Sequence, residues 1–456
     1  MKPELTRRQI LTGAALAAAA GSARGGLSAL ASVTMGPDTE RAGGDMLVVL
    51  FLRGGADGLN IIVPHGDDDY YRLRPSLGLP RPNDRKAPAS ARTVDLDGHF
   101  GLHPSLAPLL PLYRAGQFAA VHAVGSGDQT RSHFEAMATM ERGIASSAGT
   151  ASGWLARHLL STAHEQESPL RAVALTETMP DSLRGAINAT TLTSLSDFKL
   201  GTSATMPTGN GGEVFHTGPK EPLSPARSEA LTATLRAMYH ESSEARAHSA
   251  ALNTSPIAGA GRETLAALDA VKRLDPANYR SAPGAVYPRN DLGEGFRQAA
   301  CLIKGNVGME VACLDMGGWD THVAQGRDTG WQPARLADLG RALAAFATDL
   351  GKHMDHVTTI VMTEFGRRAY ENSGLGTDHG RASCMLLLGG GVAGGKVYAK
   401  WPGLAPHQLD GPGDLKVTTD YRDVLAEILT RRLKNPHLAA VFPEYTPSYH
   451  HITRPS

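Results

Sequence analysis

One segment, residues 358–381, constrains most strongly how this chain can fold. It opens with the apolar and β-branched run Thr358–Met362, which predicts a strand covered on both faces. Glu364 follows that strand, and Asp378 and His379 come after a loop that could fold back to it. Ligands of α/β proteins bind just past the carboxyl ends of parallel strands, so these side chains are candidates for one site. Two carboxylates and an imidazole there predict a divalent metal site.

The composition argues against some classes of function. The 456 residues contain 45 Lys and Arg against 45 Asp and Glu, so the formal net charge is zero. A balanced charge argues against a nucleic-acid partner or an anionic membrane surface. The hydrophobic content of 41% predicts a sizeable core, and 51 glycines with 28 prolines predict many loops on a compact scaffold.

The N-terminus shows three successive features of an export signal. Arg7 and Arg8 form a twin-arginine pattern, an apolar run covers 10–20, and the small residues Ala29 and Ala31, on either side of Leu30, offer a cleavage site. Residues 1–31 are therefore predicted to be a signal peptide, read by the twin-arginine export machinery, which makes the protein periplasmic or secreted. The apolar run is too short for a permanent membrane span, and we expect none elsewhere.

The first predicted strand of the mature chain, residues 45–52, ends in a glycine-rich turn that carries Arg53 and Asp57. The glycines allow the backbone to reverse sharply there. Asp57 would project at the carboxyl end of the strand, where it could bind a metal. Alternatively, it is the solvated or capping aspartate of a tight turn.

The next predicted strand, 118–124, is followed by hydroxyl side chains and by a helix predicted at 134–142. Thr130 and Ser132 precede that helix, where oriented backbone N–H groups favour a phosphate-like anion. Either hydroxyl could act as a nucleophile if a metal lowered its pKa. Alternatively, each is an ordinary helix cap.

A second Asp/His pair follows the buried strand predicted at 309–316. Asp320 and His322 stand two positions apart after two glycines. Carboxylate and imidazole suit zinc, manganese or iron, and the alternative is a polar turn with a surface histidine. The amphipathic helix predicted at 334–354 would cross back over the sheet, so a parallel crossover would bring both acid/His pairs to one edge.

The remaining pattern predicts an α/β scaffold with parallel crossover connections. This domain would cover 45–445, with a helical or loop cap inserted at 176–290. Further predicted strands are 170–175, 384–388 and 396–400, and further predicted helices are 106–114, 154–160, 263–274, 294–306 and 419–432.

Several motifs occur in a characteristic order: the twin-arginine start, RGGADGLN at 53–60, SHFEAM at 132–137, GGWDTH at 317–322, TEFGR at 363–367 and TDHGR at 377–381. Together they resemble the domain-of-unknown-function 1501 family over nearly the whole mature chain. That family is similar in turn to the alkaline phosphatase and sulfatase superfamily. The resemblance implies an alkaline phosphatase-like fold: a central, mainly parallel sheet sandwiched by helices, with metals at the carboxyl ends of the strands.

The resemblance also implies roles for individual residues. One or two divalent ions, zinc or manganese, would be bound by Asp57, Asp320, His322, Asp378 and His379. Glu364 would be a further ligand or support one, and it stands where the superfamily's Asp-His motif normally lies. Ser132, or else Thr130, would be the nucleophile, and Arg53 or Arg367 would neutralise the substrate's charge. No residue is matched to the superfamily's last metal histidine.

These inferences predict an exported metal-dependent hydrolase that acts on phosphate or sulfate esters of small molecules or polymers. One alternative is a non-catalytic binding or assembly protein that keeps the fold with an incomplete metal site. Another alternative is a protein whose metal has only a structural role.

Overall fold

The computed structural model describes residues 45–144, 150–163, 168–187, 189–195, 229–230, 232–234, 236 and 256–454. The predicted signal peptide at 1–31 and about half of the predicted cap at 176–290 lie outside these residues. None of the helices within these ranges combines the length and the apolar character needed to cross a bilayer.

The strands of the described residues, in chain order, are β1 (Met46–Leu52), β2 (Ile62–Val63), β3 (Val94–Asp95), β4 (Gly101–Leu102), β5 (Phe118–Gly125), β6 (Ala172–Ala174), β7 (Ala189–Thr191), β8 (Val311–Met316), β9 (Val357–Thr363), β10 (Ser383–Leu388), β11 (Val397–Tyr398) and β12 (Thr419–Asp420). The main sheet has the order β11-β5-β10-β9-β1-β8-β6-β7, with β12 also paired to β5. All neighbours are parallel except β10, which is antiparallel to β5 and β9. The strands β2, β4 and β3 form a small separate sheet. The predicted mainly parallel sheet is therefore confirmed.

The α-helices among these residues include α1 (Gly58–Ile61), α2 (Asp68–Leu73), α3 (Leu110–Arg114), α4 (His133–Arg142), α5 (Trp154–Ser161), α6 (Pro256–Leu274), α7 (Asp291–Lys304), α8 (Trp331–Leu350), α9 (Tyr421–Arg431) and α10 (Leu438–Val441). Helices flank both faces of the sheet. In β8, Cys313 packs in one core cluster with residues of α5 and α9. The next residue, Leu314, points to the other face and lies against Gly295 of α7.

Two predicted helices differ from the structure. The segment predicted at 106–114 forms the 3₁₀ helix Pro104–Leu109 followed by α3, because prolines inside it remove N–H donors. The helix predicted at 334–354 ends at Leu350, because Gly351 takes a left-handed φ of 52° and the chain continues as a 3₁₀ helix.

The chain divides into two compact units. One contains the described residues of 45–193 and 279–454, including the whole main sheet. The other contains those of 194–278, including α6. The predicted cap boundaries, 176–290, stay a prediction.

The central strands determine where a site can form. Every residue of β1 is buried and apolar, as expected of a parallel strand covered on both faces. Its last residue, Leu52, pairs with Met316 of β8 on one side and with Thr363 of β9 on the other. The chain therefore leaves three adjacent strands at one edge of the sheet.

Candidate metal centre

The turns after these three strands pack closely together. The N–H of Gly54, after β1, donates to the Glu364 carboxylate, after β9, at 2.8 Å. Gly54 has a φ of 122°, and a Cβ added to it would lie 2.6 Å from the backbone nitrogen of Asp320, after β8. Only glycine fits this position, because the backbone is left-handed and the neighbouring turn leaves no room. Asp320 and Glu364 are thereby held at the same edge.

The loop between Arg367 and His379 folds back on itself. These two residues face each other across an isolated antiparallel bridge. One step further into the loop, the Arg368 N–H donates to the Asp378 carbonyl at 3.0 Å. The loop therefore returns His379 to the end of β9.

A histidine that sequence reasoning did not select completes the centre. His133 is the first residue of α4, and its Nδ1 lies 2.8 Å from Oε1 of Glu364. Its ring centre is 4.4 Å from that of His379. Sequence reasoning favoured the hydroxyls before this helix and overlooked the imidazole. Its position between a strand end and a helix, next to Ser132, is the signal that could have found it.

Three imidazoles converge on the carboxylate of Asp320. The Nε2 atoms of His322 and His379 lie 3.1 and 3.0 Å from Oδ1 of Asp320 and 2.9 Å from each other. Nε2 of His133 lies 3.5 Å from the other oxygen, Oδ2. The ligand atoms of His133, Asp320 and His379 all fall within 4.8 Å of one another, which is close enough for one ion.

The second nitrogen of each ring is held by an oxygen. Each Nδ1 faces an acceptor: a Glu364 oxygen at 2.8 Å for His133, an Asp378 oxygen at 3.2 Å for His322, and the Arg131 carbonyl at 2.9 Å for His379. Because carboxylate and carbonyl oxygens only accept, each ring carries a proton on Nδ1. Its Nε2 is then the nitrogen available to the centre. Metal-binding histidines are oriented in this way.

The facing Nε2 lone pairs and the carboxylate of Asp320 favour a bound cation. The Nε2 atoms of His322 and His379 face each other and a carboxylate, and the Nε2 of His133 is buried without a hydrogen-bond partner. Protonating all three rings would place imidazolium charges side by side, whereas one divalent cation satisfies every lone pair. Three imidazoles and one carboxylate are ligands of zinc, manganese and iron. The residues present fit a divalent metal.

Local charges shift the pKa values of these groups. Burial would raise the pKa of Asp320, but the hydrogen bond from Arg367, together with one from His379 when that ring is protonated, outweighs it and lowers that pKa to about 2. The hydrogen bond to Glu364 raises the pKa of His133. Burial lowers the pKa of His379 in spite of its bond to Asp320. A proton therefore competes with a metal more strongly at His133 than at His379.

Arg367 lies buried beneath the centre. Its N–H groups donate to Asp320 and to four backbone carbonyls, those of Gly54, Gly55, Trp319 and Thr377. Arg367 is 1% exposed, and its charged partner is the carboxylate of Asp320. It joins the turns after all three central strands.

The acidic candidates differ in their distance from the centre. Asp57 is not brought into it: the buried carboxylate forms a bidentate pair with Arg74, at 2.6 and 2.9 Å, and accepts from Gln325 at 2.7 Å. Those bonds occupy the oxygens that a metal would need. Glu364 and Asp378 accept hydrogen bonds from the Nδ1 atoms of His133 and His322, on the side of each ring that faces away from the centre. Of the predicted carboxylates, only Asp320 faces all three Nε2 atoms.

Arg53 is bound by two carboxylates, Glu141 at 3.1 Å and Asp315 at 2.8 Å. Burial raises the pKa of Glu141 to about 7, although the charge of Arg53 counteracts it. Burial also raises the pKa of Asp315. The positive charge of Arg53 is therefore balanced within the protein.

The two candidate hydroxyls are placed differently. Thr130 donates to Glu135 at 2.8 Å and accepts from the Ser132 N–H at 3.2 Å, so it supports the turn before α4. Ser132 is the N-cap residue of α4, but its side chain makes no capping hydrogen bond. Of the two, Ser132 has the hydroxyl less committed to local structure.

Fold and centre together define an α/β protein with a candidate three-histidine, one-carboxylate metal site at the carboxyl edge of its sheet. Residues 45–437 match the family model described as "Protein of unknown function (DUF1501)". The chain belongs to this DUF1501 family. No curated protein matches the chain.

Proposed function

We propose that this chain is an exported, metal-dependent hydrolase of phosphate or sulfate esters. The observation that carries the proposal is the convergence of three Nε2 atoms on Asp320, with each Nδ1 held by an acceptor. A zinc or manganese ion bound there would polarise an ester oxygen and lower the pKa of a water molecule.

The protein groups divide this work. The ligands would be His133, His322, His379 and Asp320, and the donors support one ion because Asp57 is bound to Arg74. Glu364 and Asp378 fix the rings through Nδ1. Arg367 holds Asp320 in its ionised form.

The N-terminus of α4 provides a place for the transferred anion. The helix runs for ten residues, so the unpaired N–H groups of its first turn favour a negative group beside His133. Ser132 could attack the ester from there, with a water molecule as the alternative nucleophile. Arg131, whose side chain is 38% exposed, adds a cation that it shares with Asp414.

Metal analysis combined with hydrolysis assays tests the proposal. Wild-type protein should hold about one zinc or manganese ion per chain and hydrolyse some members of a panel of aryl phosphates and sulfates. Asp320→Asn should lose both properties, because it removes the charged ligand and keeps the shape. His353→Ala, in the 3₁₀ helix Gly351–His356, is a matched control, because His353 is exposed and lies outside the centre. Wild-type protein that is metal-free and inactive on the whole panel would refute the proposal.

A second candidate function is macromolecular binding without catalysis. Large apolar side chains are exposed directly beside the ligands: Phe134 is 84% and Val323 73% exposed. Exposed apolar groups that cluster at one place favour a binding surface. Stoichiometric metal without turnover on any ester in the panel would favour this candidate.

A further inference from the structure

We propose that a buried polar network centred on Gln325 positions the loops of the metal centre, so that metal affinity depends on side chains that never touch the ion. The inference rests on the proposed metal site. It gives Asp57 a role as a positioning residue.

Gln325 is completely buried and uses both ends of its amide. Its Nε2 donates to Oδ2 of Asp57 at 2.7 Å, and its Oε1 accepts from the hydroxyls of Thr321 at 2.8 Å and Thr377 at 2.7 Å. The carboxylate of Asp57 can only accept, so the amide nitrogen must face it. The amide oxygen must then face the two hydroxyls, which leaves Gln325 one orientation.

The network is anchored in the core next to the end of β1. Arg74, whose side chain is 0% exposed, binds both oxygens of Asp57 and also donates to Asn60 at 2.7 Å. The same guanidinium donates to the backbone carbonyls of Arg368 and Ala369, both at 2.9 Å. Breaking up such a buried, fully paired group is costly, so Asp57 is a rigid reference point for Gln325.

Each threonine lies next to a residue of the centre. Thr321 directly precedes His322, and Thr377 directly precedes Asp378, the carboxylate that holds His322. The N–H of Thr377 also donates to the Thr321 carbonyl at 3.1 Å. A Cβ added to Gly376 would lie 2.4 Å from the His322 carbonyl carbon, so the two loops are packed without spare room.

The hydrogen bonds of Gln325 to the two threonines therefore help to fix where the ring nitrogens of His322 lie. Metal–nitrogen bonds of about 2.1 Å tolerate little displacement of a ligand. Groups behind the ligands typically change metal affinity by about 10–100-fold when they are removed. Gln325 is one contact further away, so we expect the lower end of that range, about tenfold.

Isosteric substitutions of the two threonines separate positioning from general stability. Thr321→Val and Thr377→Val each remove one buried hydroxyl and keep the side-chain shape. Thr453→Val is the matched control, because its buried hydroxyl donates to Glu427 of α9 at 3.0 Å, outside this network. Thr377→Ser keeps the hydroxyl and should rescue binding. The measurements are the zinc dissociation constant, by competition with a chromophoric chelator, and the Tm of the metal-free protein.

The expected result is similar Tm losses for all three valine variants, with zinc affinity about tenfold weaker only for Thr321→Val and Thr377→Val. Thr377→Ser should bind zinc within about twofold of wild type, because its hydroxyl still reaches Gln325. Equal zinc affinity in all variants, with zinc bound by wild type, would overturn the positioning role and leave the metal site standing. Wild-type protein that binds no zinc would overturn the metal site itself.

Discussion

The two edges of the central sheet use histidine and carboxylate in opposite ways. At the amino end of β8, the carboxylate of Glu310 accepts from Arg171 at 2.7 Å and lies 2.8 Å from Nε2 of His158. The other ring nitrogen of His158 lies 2.8 Å from the amide nitrogen of Asn435. Both nitrogens of this buried ring have partners, so it has no lone pair to offer to an ion.

At the carboxyl end, histidines beside carboxylates keep one ring nitrogen, Nε2, available for a further ligand. Each ring uses Nδ1 for an oxygen of the protein, and the Nε2 of His133 is buried without a hydrogen-bond partner. A histidine beside a carboxylate is therefore not diagnostic by itself. What separates a structural histidine from a candidate ligand is whether both ring nitrogens are already used.

The largest expected contrast comes from deleting one histidine at each edge. His133→Ala should abolish stoichiometric zinc binding, because it removes a ligand that only a cation satisfies; it also removes a hydrogen bond to the buried Glu364, so the metal-free protein should lose some stability as well. His158→Ala should cost about 2–3 kcal/mol of unfolding free energy, because it leaves buried partners unpaired, and should leave zinc binding unchanged. Metal analysis and denaturant unfolding measure the two effects. Loss of metal in His158→Ala, or retention of it in His133→Ala, would contradict the contrast.

The carboxylate behind a ligand should matter next most. Burial alone would raise the pKa of Glu364, but hydrogen bonds, first of all from His133, outweigh it and lower the pKa. Glu364→Gln removes the charge that fixes the proton on Nδ1, so we expect zinc affinity to fall about 10–100-fold. Glu310→Gln is the counterpart at the other edge and should not change zinc affinity. Chelator competition measures both, and equal effects would show that Glu364 does not act through His133.

Acid should affect the two edges in different pH ranges. Hydrogen bonding to Glu364 raises the pKa of His133 above 6.5, so protons should displace zinc as the pH falls from about 7 to 5. At the other edge, burial would raise the pKa of Glu310, but His158 and Arg171 lower it to about 2. Its stabilisation is therefore complete above about pH 4.5 and is lost as the pH falls towards 2.

Zinc content and unfolding free energy across this pH series check both parts. The protein should first lose zinc with its fold intact and then lose stability. Glu310→Gln should flatten only the second decline. Zinc that stays bound until the protein unfolds would show that the His133 proton does not compete with the metal.

The smallest expected effect concerns the exposed rim of the carboxyl edge. Phe134 follows His133 and is 84% exposed. Phe134→Ser should change the unfolding free energy by less than about 0.5 kcal/mol, because no packed contact is lost. If aryl esters approach the centre past this ring, their KM should rise about threefold, which corresponds to less than about 1 kcal/mol of apolar contact. An unchanged KM would place the substrate on another side of the centre.

Much of the fold was predictable because its signals are local. The strand β1 is a continuous apolar run, and β9 is a run of apolar and β-branched residues; the chain leaves both at glycines or polar residues. The edge of the sheet at which a site should form followed from the direction of the parallel strands, because ligands bind at their carboxyl ends. Of the helix predicted at 106–114, only the part up to Leu109 differs in type, because prolines there disrupt regular α-helical hydrogen bonding.

The site was predictable only in part. Asp320, His322 and His379 stand directly after strands or in their return loop, so their proximity followed from topology. The role of His133 and the pairing of Asp57 were not predictable in this way. The first depends on the contact of His133 with Glu364, which lies 231 positions further along the chain, and the second on the contact of Asp57 with Arg74, which lies 17 positions further along.

The strands, their polar ends and the residue types that could bind a metal can be inferred from the sequence alone, because hydrophobic period and turn chemistry are local properties. Which of those side chains face one another, and which are already paired, depends on the folded arrangement of distant segments. Asp57 and Asp320 both follow a buried strand. Asp57 is nevertheless paired with Arg74, whereas three imidazoles surround Asp320. The physical reason is that a carboxylate's role is set by the partners within about 3 Å, and those partners come from distant parts of the chain.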